Sequence, residues 1–340
     1  MTATPWSVSR AHAVRAELIR VKLRVRIWSK VPNEAAPGGG HRGKGDYSMI
    51  KTILVAAAGT TQTKAALDTA IILARSFEAH VECLRVHSDP AQMLAQAAGA
   101  DMGTSMVVAD MWQALQDDDQ KRTKAARDVF DDVCLREKVG LLDRPGAAPA
   151  LSASWREETG DEAAILVRRA RFNDLVVVEH PAGGGGFTPN GGGTVVLGSG
   201  RPVLIAPPES PKRLPRTIAV AWKDTPEAAR AVTAAMPLLA KAERIVLVSV
   251  NDDGADAAPL RLSLQNATDH LRWHGFTVEA RYVEGGGKNG PEALLASLAD
   301  AKVDALVMGG YGHSRVREFI FGGFTRRVLT GVTLPVFLFH

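Results

Sequence analysis

Residues 309–327 bring together the groups in this chain best suited to holding an anion. Gly309-Gly310-Tyr311-Gly312-His313-Ser314-Arg315 follows the apolar run 305–308, and nine residues separate Gly312 from Gly322-Gly323-Phe324-Thr325-Arg326. Glycines let a ligand approach the backbone closely and accept unusual φ. A helix opening at Gly322-Gly323 would offer unpaired N–H groups and the positive end of its dipole, and Arg315 and Arg317 add charge beside it. The chemistry indicated is phosphate held where a strand ends and a helix begins. A carboxylate, Asp224, stands in a comparable place in Ala221-Trp222-Lys223-Asp224-Thr225-Pro226, after another apolar strand.

Other reactive groups are less well placed. His313 adjoins Ser314, but no carboxylate is positioned to orient it, so no catalytic residue is assigned. Gly285-Gly286-Gly287-Lys288 lacks both the leading glycine of a P-loop and the hydroxyl after its lysine, and reads as a loop. Trp222 has a face on which a base could stack, but an aromatic at a strand end more often packs. Cys83 and Cys134 lack metal-ligand spacing and read as two reduced thiols. No metal site is expected.

The elements that position these groups occur twice. Thr52–Ala57, a helix 65–75 and a strand 81–86 are echoed by Thr217–Trp222, a helix 226–239 and a strand 245–250. The ends also match: 174–178 and 201–205 correspond to 304–308 and 334–338. In between, half two has a helix 262–274, a strand 278–283 and a helix 291–298. Half one has a longer helix, about 106–139, a strand near 152–156 and a helix 161–170. Apolar strands alternating with helices predict parallel sheets covered on both faces, with ligands beyond the carboxyl ends of the strands. The copies differ at the site: half one places Ala58 where half two has Asp224, and Glu179-His180 where half two has Gly309-Gly310. Glycines 183–186 and 191–193 have no fixed spacing and read as a flexible loop. Half one is thus a degenerate copy with a structural role.

The formal charge of +4 is misleading. Residues 1–48 hold nine Lys/Arg against Glu17, Glu34 and Asp46, so this segment carries +6 and the remainder about −2, which argues against nucleic acid as a partner. No apolar run reaches the ~18 residues of a membrane span, so a soluble, cytoplasmic protein without a membrane partner is expected. The first strand begins at Met49, and residues 1–48 are expected to be a disordered tail or to lie upstream of the natural start.

Gly309-x2-Gly312-x9-Gly322, in this position within a duplicated βα array, resembles the signature of the universal stress protein family, and the resemblance covers 49–340. It implies two tandem Rossmann-like α/β domains of the adenine nucleotide alpha hydrolase kind, 49–208 and 213–340. Each would be a five-stranded parallel sheet with helices on both faces, the pair meeting along their last strands, with a homodimer left open. It also implies a stress-response nucleotide-binding protein rather than an enzyme. Its ligand would be ATP, with magnesium as an accompanying candidate, and its signal would pass to a protein partner. Asp224, Gly309, Gly312, His313, Arg315, Gly322, Gly323, Phe324 and Thr325 would form the pocket. ATP-binding members usually carry Ser or Thr where this chain has Gly323. Two alternatives stay open: an interaction protein without nucleotide, and a weak ATP hydrolase drawing on Asp224, Glu318 or His313.

Overall fold

Both halves contribute to one continuous sheet of eleven strands. The computed structural model describes residues 50–87, 105–145, 150–181, 192–252, 254, 256–285, 290–310 and 323–340, so the 1–48 segment lies outside the described residues. Half one contains β1 (Thr52–Ala56), α1 (Thr63–Phe77), β2 (His80–His87), α2 (Ser105–Glu137), β3 (Gly140–Leu141), β4 (Ser152–Thr159), α3 (Glu162–Ala170), β5 (Leu175–Val178), α4 (Gly192–Gly198) and β6 (Val203–Ile205). Half two contains β7 (Thr217–Ala221), α5 (Pro226–Lys241), β8 (Arg244–Asn251), α6 (Ala257–Trp273), β9 (Val278–Glu284), α7 (Gly290–Ala301), β10 (Ala305–Gly309), α8 (Gly323–Gly331) and β11 (Val336–Phe339).

The strand order is β3-β4-β2-β1-β5-β6-β11-β10-β7-β8-β9. Every pairing is parallel except β6 with β11, where Leu204 faces Phe337. Because these are equivalent strands running antiparallel, the halves meet about a local two-fold axis, as the tandem reading expects. Their joining covers two sheet edges that would otherwise present unpaired N–H and C=O groups. Half two has the five strands anticipated, and half one adds the two-residue β3 at its outer edge.

Side chains alternate between two apolar layers, as a sheet buried on both faces requires. Ile53 and Val55 of β1 enter a core shared with α1, α2, α5 and α6. Leu54 enters the opposite core, shared with α3, α4, α7 and α8. Cys83 and Cys134 belong to the first core as free thiols, and burial pushes both upward, Cys134 to about 11.

Several predicted boundaries shift for local reasons. α6 starts at 257 rather than 262 because the Asp256 carboxylate caps it, accepting the Ala258 N–H at 3.0 Å. Gly192 and Gly193 open α4 instead of lying in a loop. Gly331 is the last residue of α8, where a Cβ would lie 2.5 Å from Leu295 Cδ1. The largest difference between the halves is α2, with 33 residues against 17 in α6. At 1.5 Å per residue it spans about 50 Å, well beyond the strands it covers.

Candidate functional site

The register of the two halves fixes which residues are equivalent. The Ala57 N–H donates to the Leu84 carbonyl at 2.9 Å, and the Trp222 N–H donates to the Val248 carbonyl at 2.8 Å. Ala57 therefore corresponds to Trp222, and Gly59, not Ala58, corresponds to Asp224. This corrects the sequence alignment by one residue. The reason for glycine at 59 is the long helix: φ is +74°, and a Cβ would lie 2.2 Å from the Arg122 carbonyl oxygen of α2. Asp224 is exposed.

At the neighbouring strand ends, Ile53 pairs with Leu175 and Ile218 with Ala305, so Glu179 corresponds to Gly309 and His180 to Gly310. In half one the Glu179 carboxylate accepts the Ala58 N–H at 2.8 Å and the Thr60 and Thr63 hydroxyls at 2.5 Å each. α1 has no side-chain N-cap and no acid in its first turn. Glu179 supplies the missing anion at that positive helix end. α5 provides for itself: Pro226 occupies its first turn, the Thr225 hydroxyl accepts the Ala228 N–H at 3.3 Å, and Glu227 is the first-turn acid. Loss of hydration works to raise Glu227, but its own N–H, the Thr225 hydroxyl and Arg230 hold it below the usual carboxylate range.

Half two consequently has no carboxylate at the end of β10. A Cβ at Gly309 would lie 2.7 Å from the Ala228 nitrogen and 2.8 Å from the Glu227 carbonyl carbon, so this glycine lets the strand end touch the first turn of α5. Gly310 donates its N–H to Phe339 at 2.8 Å, and its carbonyl lies 3.0 Å from His340 Nδ1. Gly323 opens α8 with no described atom within 4 Å of a Cβ position. Phe324 packs against the second core, and Thr325 is buried. The structure thus brings Asp224 and Gly309 to the carboxyl edge formed by the adjacent strands β7 and β10. Gly312, His313, Arg315 and Gly322 lie outside the described residues, as do 286–289 of the second glycine run.

Beside Asp224 is a cavity of about 460 Å3 lined by Trp222, Val232, Leu247, Ser263 and His270. Trp222 packs on the first core and donates its indole N–H to Ser263 at 3.0 Å, so its ring is held in place at the cavity wall.

Sequence reasoning missed a polar cluster at the end of β2. Arg85, 7% exposed, donates to Asp119 at 2.5 Å and Thr123 at 3.1 Å, while His87 lies 2.7 Å from Asp119 and 3.1 Å from Glu157. In half two the same positions hold Ser249, Asn251 and Tyr282. Arg85 and His87 near the end of β2 were the available signal. This cluster and the overhang of α2 border a cavity of about 570 Å3.

The universal stress protein family model matches residues 49–185 and 215–340. A universal stress protein of Synechocystis is 34% identical over 78 residues, 23% of this chain and 26% of that protein, so the match spans about a quarter of that relative. A universal stress protein of Archaeoglobus fulgidus shares the fold at 15% identity, with a TM-score of 0.58 over 85% of this chain and 95% of that one. A functionally unknown protein of Pseudomonas aeruginosa does so at 15% identity, with a TM-score of 0.52 over 86% and 93%. Among the described residues no helix is long and apolar enough to cross a membrane. With two matched segments covering most of its length, the chain belongs to the universal stress protein family as a tandem member.

Proposed function

We propose that this protein is a stress-response nucleotide sensor whose second half binds ATP and whose first half has given up that role. The observation that carries the reading is the contrast at equivalent strand ends. Glu179 fills the anion position of half one with its own carboxylate, whereas Gly309 leaves only backbone at the corresponding place.

The residues present fit a nucleotide at α8. Gly323 is unobstructed and begins a nine-residue helix with no acid in its first turn. Its backbone N–H groups would face phosphate, aided by Arg315. Without a hydroxyl at 323 one charge-assisted hydrogen bond is absent, weakening affinity ~10- to 100-fold relative to a Ser or Thr site. Glu227 is the first-turn acid of α5, so the helix end that would receive phosphate is that of α8, reached past the bare backbone of Gly309. The base and ribose would then lie toward Asp224 and the cavity walled by Trp222. Bound nucleotide would bias the start of α8 and so the surface offered to a protein partner.

Binding rather than turnover is favoured because Asp224 is exposed and makes no described contact that would aim it as a base. Isothermal titration of the full chain with ATP and magnesium tests this. One saturable site per chain is expected, and no saturable heat at ~1 mM ATP, the usual upper range for a physiological ligand, would overturn the reading. Multiple turnovers of phosphate release, lost in Asp224→Ala, would favour the hydrolase instead.

A further inference from the structure

The cavity of half one carries a different chemistry. It lies between Ala58, the ends of β2 and β4, and the inner face of α2, and holds about 570 Å3. Two of its cations are already neutralised: Arg85 by Asp119 at 2.5 Å, and Arg122 by Asp118 at 2.7 Å. Glu162, the first residue of α3, lines its solvent-exposed rim, and no described side chain pairs with that carboxylate. Glu179, outside the lining but nearby, accepts among the described residues from an amide and two hydroxyls, none of which carries charge. This end of the cavity therefore carries excess negative charge, and Trp112 and Leu115 add apolar surface to its lining.

We propose that this cavity binds a small organic cation, an ammonium or guanidinium group on a short apolar stem, with Glu162 as its counter-ion and Trp112 against the stem. Aromatic faces attract such groups as well as bury their stems. The same excess charge repels a nucleotide, which distinguishes this site from the one in half two. A bare metal ion is disfavoured, since among the described residues no three His, Cys, Asp or Glu side chains converge to chelate one.

The groups facing Glu162 agree with this polarity. Loss of hydration pushes its carboxyl above the usual range, Arg85 of β2 and Arg122 of α2 oppose the rise, and Glu179 after β5 and Asp161 before α3 add to it. A bound cation would stabilise the charged form, so affinity should strengthen as pH rises through the range in which Glu162 ionises.

Agmatine and 1,5-diaminopentane are suitable probes, with AMP as the anionic control, titrated into the full chain at ~0.15 M salt and followed by calorimetry and tryptophan fluorescence. Saturable binding of at least one amine is expected, about tenfold weaker in Glu162→Gln and unchanged in Gly323→Ser. Asp161, not Glu162, caps α3, so Glu162→Gln should fold normally. No saturable amine binding, equal affinity in Glu162→Gln, or displacement of the bound amine by AMP would overturn the proposal.

Discussion

The Glu179 carboxylate takes the Thr63 hydroxyl hydrogen bond at 2.5 Å across 116 residues of sequence, joining the end of β5 to the first turn of α1. Half one thereby carries an internal anion at a helix start that lacks its own cap. Half two caps the equivalent helix locally through Thr225 and leaves its strand end to glycine.

Removing that anion should destabilise without restoring a nucleotide site. Glu179→Ala strands the Ala58 N–H and the buried Thr63 hydroxyl, at a cost of about 1–3 kcal/mol in denaturant unfolding. ATP stoichiometry should stay at one per chain, because Gly59 remains pressed against the Arg122 carbonyl under α2. A second ATP equivalent in the variant would mean that Glu179 alone closes half one.

Gly309→Ala should be costly in the other half. The added methyl would meet backbone atoms of Glu227 and Ala228 at 2.7–2.8 Å, and neither strand nor helix can move aside alone. Overpacking of this kind costs about 1–3 kcal/mol. Thermal unfolding measured without nucleotide checks it, and an unchanged midpoint would show that the β10–α5 contact yields easily.

His80 should make stability depend on pH. Its ring lies between the Ser152 hydroxyl at 2.9 Å and the Ser154 hydroxyl at 3.0 Å, and burial holds its pKa below 6.5 despite Glu82 and Asp143. The unfolded chain takes up the proton first, so the stabilisation is complete above pH ~6.5 and is lost as pH falls through the folded value. Urea midpoints across that range should fall less steeply with acidification in His80→Gln. Parallel curves for the two proteins would remove His80 as the cause.

The duplication, the parallel strands and the meeting of β6 with β11 were all legible in the sequence, because apolar runs such as Val336–Leu338 are explicit in residue type. Glu179 was recognisable as an obstacle to phosphate, since its position at a strand end follows from the same pattern. Its role as a cap for α1 was not, because that depends on Thr60 and Thr63 arriving from the other side of a β-α-β unit. Gly59 was misaligned for a related reason: only the Arg122 carbonyl of a distant helix explains it. The Arg85–Asp119–His87 cluster likewise needed α2 set over β2 before its members could be seen together.

Gly323 offers the sharpest test of the nucleotide reading. A Cβ there meets no described atom within 4 Å, so neither Ala nor Ser should disturb packing, and both should favour the start of α8 over glycine. Only Ser adds a hydroxyl able to donate to phosphate. If the phosphates lie at α8, Gly323→Ser should tighten ATP about tenfold or more in calorimetry, while Gly323→Ala should leave affinity nearly unchanged. Equal tightening by both would assign the gain to helix order rather than to contact. No change in either would move the phosphates away from α8, even if ATP still binds the chain. AMP separates the contributions further: its single phosphate reaches less far from the base, so a hydroxyl at 323 should favour ATP over AMP more strongly than the wild-type glycine does.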